Sequence, residues 1–137
     1  MLGGGVDRGD VLAIALSQKA VADGIEEVVA AMRVTDRGAS NCGPIAGVIR
    51  DSARQLASAV DQLDGPRRER EAHLDRIEAL DAEGRRLLRA ARARVLTGDG
   101  DVLAALATTE LLYRFERVLQ ACRGGGRALR LVVVKHA

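Results

Sequence analysis

Aromatic side chains are nearly missing from this sequence, which has no Trp, one Tyr and one Phe. Any core must therefore be aliphatic, assembled from Leu, Val, Ile and Ala. Cysteine is equally scarce: Cys42 and Cys122 are too few and too far apart for a disulfide framework or a CxxC metal site. Two free thiols fit a reducing compartment. The only histidines are His73, in a charged stretch, and His136, beside the last residue. Both rings are expected in solvent, and no Cys-His pair of nucleophile and base is expected. Gly3-Gly4-Gly5 and Gly98-Asp99-Gly100 lack the Lys and Ser/Thr of a phosphate-binding P-loop. Residues 1–10 hold no apolar leader, and no apolar run is long enough to span a membrane, so a soluble cytoplasmic protein is expected. With no acid, base and nucleophile that converge, no enzyme is expected.

What is present points to helix. The 137 residues are about the size of one domain, and a single domain over residues 1–137 is expected. Hydrophobic residues make up 47% of the chain and charged residues 29%, a globular balance. Abundant Ala, Leu, Arg and Glu with only two Pro favour helix on intrinsic propensity. Charge is uneven: residues 1–64 carry 6 basic and 9 acidic side chains, residues 65–137 carry 15 and 10. The arginines of the second half alternate with Asp and Glu at helical spacing, which describes a solvated, ion-paired face. With so few aromatics and no base-reading motif, nucleic acid is not an expected partner.

Four helical segments follow from apolar spacing. The first begins near Asp7, which can cap it, and places Val11, Ile14, Val21, Ile25, Val28 and Met32 three or four apart, with Gln18 where a hydrophobe is due. The turn at residues 37–43 precedes Pro44, suited to the first turn of a second helix that carries Ile45, Val48, Ile49, Leu56, Val60 and Leu63. Gly65-Pro66 stops it. The third helix, about Arg67 to Leu96, carries Leu74, Ile77, Leu80, Leu87, Leu88 and Val95. Asp101 is a good N-cap for a fourth helix with Leu112, Phe115, Leu119, Cys122, Leu129 and Val133 on its stripe. Gly124-Gly125-Gly126 sets that helix back by roughly 3 kcal/mol in propensity, so packing must hold it or it kinks there. Leu131-Val132-Val133-Val134 could pass for a strand, but no second strand exists to pair with it. The expected fold is all-α, an antiparallel up-and-down bundle of four long helices.

Among the acids, Asp23 and Glu27 stand one helical turn apart, the spacing by which bundle carboxylates share an ion. The equivalent partner of Glu116 would be at position 120, which is Gln.

Two stretches carry more than helical pattern. Val6-Asp7-Arg8-Gly9-Asp10-Val11 resembles the FDREDI stretch that opens the second long helix of the PhoU-like domain family, and residues 18–26 are similar to the LDDVVDYIE that follows there. Residues 101–118 resemble that family's DPLEVIKWKELYELLERV, and Val132-Val133-Val134-Lys135-His136-Ala137 its closing IVLKHA, with no gap between. The resemblance implies an accessory or regulatory role in inorganic phosphate transport or signalling, with a phosphate transporter or signalling protein as partner and the membrane reached only through that transporter. It also implies metal clusters, of divalent or iron type, held by ExxxD or DxxxD motifs.

Those motifs are depleted here. Lys19 stands at a usually acidic position, Asp23 and Glu116 are retained, and the family's CEDVAD is Cys122-Arg123-Gly124-Gly125-Gly126-Arg127. One carboxylate per helix gives a hard or borderline cation too few ligands. No metal or other cofactor is therefore expected, with Asp23, Glu27 and Glu116 as vestigial candidates. Lys19, Arg123 and Arg127 are expected to pair with Asp23, Glu27 and Glu116, linking the first and last helices by ion pairs. The alternatives are a metal-binding phosphate sensor that recruits Asp81 or Glu83, and a helical-bundle interaction module without a phosphate role. The family's further helix before FDREDI has no counterpart in this sequence, so an uncovered apolar face, closed by self-association or a partner helix, is also expected.

Overall fold

The computed structural model describes residues 8–34, 42–98 and 100–135, and all its regular structure is helical. Helix α1 spans Arg8–Val34, α2 Gly43–Asp61, α3 Arg67–Thr97 and α4 Val102–Lys135. The capping role given to Asp7 falls outside the described residues, as does His136.

Local chemistry sets the ends. Pro44 occupies the first turn of α2, where its missing amide leaves nothing unsatisfied. The α2–α3 turn closes when the Gly65 amide donates to the Gln62 carbonyl at 2.9 Å, and the Arg70 guanidinium donates to the Leu63 carbonyl at 3.4 Å. Asp101 caps α4: its Oδ1 accepts from the Leu103 amide at 3.0 Å.

Direction follows from the cross-helix contacts. Lys135 meets Asp10 while Arg114 and Arg117 meet Glu27, so α1 and α4 run antiparallel. Arg130 meets Glu78, Arg123 meets Asp81 and Arg92 meets Glu116, so α3 and α4 do too. The short turn at residues 62–66 makes α2 and α3 an antiparallel hairpin. Each of these pairs packs closely, and α2 also reaches α4. The fourth seam, α1 against α2, has no comparable contact.

Helix α4 is consequently central. A single stripe would bury every third or fourth residue, yet the adjacent pairs Leu111 and Leu112, Val118 and Leu119, and Val132 and Val133 are all buried, because α4 meets α1, α2 and α3 on different sides. This also explains why Gly124-Gly125-Gly126 does not break it. A Cβ on Gly125 would sit 3.1 Å from Leu56 Cδ2 and 3.5 Å from Ser17 Cβ, so the glycine lets α1 and α2 close on α4. The helix continues from Val102 to Lys135, and Leu131 to Val134 belong to it.

One core expectation fails. Val11 is 55% exposed. The register that sets Gln18 and Val21 opposite Leu56 and Ala57 carries Val11 two turns further along, past Asp61 where α2 has ended.

Candidate functional site

The open α1–α2 seam is the most apolar concavity described. Ile25, Val29 and Met32 form one wall, Ala46, Ile49 and Ala53 the other, and Phe115 and Val118 of α4 the floor, enclosing about 410 Å³. A shallower extension of about 210 Å³, bounded by Gln18, Ala22 and Ala57, shares Ile25 and Ala53 with it. Together they run from Met32 to Gln18, roughly 20 Å along α1, or about four helical turns. The cause lies in side-chain size. Ala46, Ala53 and Ala57 on α2 and Ala22 on α1 stand where a closed seam would need larger aliphatic residues to interdigitate. Arg50 and Arg54 supply the only charge in the groove's lining, both on the α2 rim. Arg50 is engaged with its neighbour Asp51 at 3.2 Å, an exposed pair of little energetic weight.

A second concavity, of about 270 Å³, lies between α3 and α4 and is cationic. Arg85 of α3 and Arg123, Arg127 and Arg130 of α4 face it, with Glu78 and Asp81 as its only acids. Asp81, whose side chain is only 12% exposed, is the hub. Its two carboxylate oxygens accept from Arg123 Nε at 3.1 and 3.2 Å, and Arg85 Nε lies 3.3 Å away. Arg130 reaches Glu78 at 3.0 Å and Asp75 at 3.5 Å. Arg127 meets no carboxylate among the described residues.

The residues singled out in the sequence are therefore distributed as follows. Lys19 and Asp23 pair with each other at 2.7 Å along α1, so that pair links no helices. Glu27 faces Arg114 and Arg117 of α4, each at 3.6 Å. Glu116 is bound by Arg92 of α3 at 2.5 Å, and Arg123 turns to α3 as well. The links between the first and last helices are Glu27 with Arg114 and Arg117, and Asp10 with Lys135 at 2.9 Å. Glu83 pairs locally with Arg86, which holds its carboxyl below the usual value through their hydrogen bond. Among the described residues, no three His, Cys, Asp or Glu side chains are grouped to hold an ion.

His73 differs from its expected place in solvent. It is half-buried, with Nδ1 2.9 Å from Gln55 Oε1 and Nε2 2.8 Å from Gln62 Oε1, and so ties α3 to α2.

Both thiols are buried and held protonated. Burial raises Cys42, against a weaker opposing pull from Arg94. Burial, reinforced by the negative charge of Asp81, raises Cys122 from 9.0 to about 11. A buried thiol of that kind is a poor nucleophile. The unfolded chain releases the Cys122 proton first as pH rises, so the stability this thiol contributes is intact below about pH 9 and is lost between about pH 9 and 11. The loss is expected to be on the order of 2 kcal/mol. Urea titrations at pH 8 and 10.5 check it: the drop should be smaller in Cys122→Ala by that amount, and equal drops refute the assignment.

No family model, curated protein or solved structure matches this chain. Its own geometry must carry the functional reading. Also, no described helix is long and apolar enough to cross a membrane.

Proposed function

We propose that this protein is a non-enzymatic PhoU-like accessory or regulatory bundle that acts by protein-protein binding, and that the α1–α2 groove receives one amphipathic helix of its partner. The groove carries the reading: an apolar trough about four turns long, with a buried aromatic floor, is the shape into which a helix lays an i, i+3, i+4, i+7 stripe. Met32 at its end adds an adaptable wall. Arg50 and Arg54 along one rim select a partner helix whose stripe is flanked by Asp or Glu on that side. The resemblance at both ends of the sequence directs the search for that partner to phosphate transporters and their signalling proteins.

Two synthetic helical peptides test the groove, with the same leucine stripe flanked by glutamate in one and lysine in the other. The acidic peptide should bind at micromolar Kd and shift the backbone resonances of Ala46, Ile49 and Ala53, with the lysine peptide at least tenfold weaker. Ala53→Glu, a substitution at a half-buried rim position, should abolish the difference. Equal affinity for the two peptides, or shifts confined to another face, would refute the reading. The phosphate context is tested separately by affinity purification from phosphate-replete and phosphate-starved cells. A transporter or signalling protein retained by wild type and lost from Ala53→Glu is the expected result.

A further inference from the structure

The cationic cleft between α3 and α4 shares no lining residue with the groove, and nothing in the reading above depends on it. Outside the cleft, Arg67, Arg86, Arg92, Arg114 and Arg117 each lie beside an acid. The cleft departs from that pattern in three ways. Its walls hold four guanidiniums against two carboxylates, and with Asp75 beside Arg130 at its edge the cluster keeps an excess of positive charge. Arg127 has no carboxylate partner among the described residues. Arg123 is oriented by Asp81 through Nε, and its two Nη groups meet no acceptor among the described residues.

The backbone arrangement favours the same use. Arg123, Arg127 and Arg130 fall at i, i+4 and i+7 on α4, one face of the helix. Gly126 lies between them as floor, because a Cβ there would come within 3.0 Å of Ile77 Cγ2. The space, about 270 Å³, equals the liquid share of about nine waters at ~30 Å³ each. That is more than the four oxygens of one phosphate need.

We propose that this cleft is a binding site for a phosphate monoester or pyrophosphate group. Arg127 and the Nη groups of Arg123 would donate to its oxygens, and Arg130 would swing to it from its exposed partners Asp75 and Glu78. Planar guanidiniums suit such an anion because each can donate two parallel hydrogen bonds to it. Asp81 is the positioning residue: it fixes Arg123 and Arg85 and offers no donor of its own.

Inorganic pyrophosphate, titrated at fixed ionic strength and followed by calorimetry and backbone amide shifts, tests the site. Saturable binding at submillimolar Kd, with shifts at residues 81–85 and 123–130, is expected. Arg127→Ala should weaken it at least tenfold while its circular dichroism and thermal midpoint stay unchanged, and Arg67→Ala, at an exposed arginine that lines neither concavity, should bind as wild type. A parallel arm uses vesicles with and without phosphatidic acid. Arg127-dependent binding to those vesicles alone assigns the phosphate to a lipid headgroup, and Arg127-dependent binding in solution assigns it to a free metabolite. No saturable binding in either arm, or binding unchanged by Arg127→Ala, overturns the proposal.

Discussion

Phe115→Ala is expected to cost about 3–5 kcal/mol of folding stability, a large fraction of the roughly 5–15 kcal/mol that holds a domain of this kind together. Phe115 is the one phenylalanine in the chain and is 1% exposed, at the level where α4 meets the walls of the groove. Truncation removes an aromatic ring from a core otherwise made of aliphatic side chains, none of them large enough to fill the void without leaving its own rotamer well. Urea denaturation should show a lower midpoint with an unchanged slope, and the thermal midpoint should fall by ~10 °C or more. The floor of the groove goes with the ring, so the acidic peptide should lose affinity even at temperatures where the variant is folded. A loss below about 1.5 kcal/mol would mean that α1 and α2 collapse into the space, and that the groove is soft rather than preformed.

How far the sequence announces this arrangement depends on whether the relevant residue states its environment alone or only through a partner. Ile14, Val21 and Val28 recur every seven residues on α1, two helical turns, and Leu74, Ile77 and Leu80 every three on α3, and all six are buried. Pro44, Gly65-Pro66 and Asp101 mark ends because each acts on its own backbone. The groove gives no such signal. Ala46, Ala53 and Ala57 are compatible with core, surface or a gap, and only the absence of a close α1–α2 contact shows which applies.

The cleft was half visible. Arg123 and Arg127 stand out as cations at positions where the PhoU-like pattern has acids, but the carboxylate that orients Arg123 lies 42 residues away on α3. No helical spacing connects the two. His73 is similar: its neighbours in sequence are charged, and its burial comes from Gln55 and Gln62 across the α2–α3 hairpin.

Glycine shows the same dependence on partners, and two substitutions of opposite sign make it measurable. Gly84 of α3 is buried, and a Cβ there would sit 2.8 and 2.9 Å from the two Cδ atoms of Leu119 and 3.3 Å from Val48 Cγ1. Leu119 is 1% exposed and packed within the core, so its Cδ atoms can give way only against other core side chains. Gly84→Val should therefore cost about 3 kcal/mol, since overpacking outweighs the few tenths gained in helix propensity. Gly124, by contrast, is exposed in the middle of α4, and nothing lies within 4 Å of the position its Cβ would take. Gly124→Ala should stabilise the protein by about 1 kcal/mol, because it restricts the unfolded chain and meets nothing in the folded one. Chemical denaturation of the two variants reads both effects. A neutral Gly84→Val would mean that α3 and α4 sit further apart than their buried side chains imply. A destabilising Gly124→Ala would mean that another surface closes over α4 at that turn, since the isolated bundle offers the added methyl only solvent.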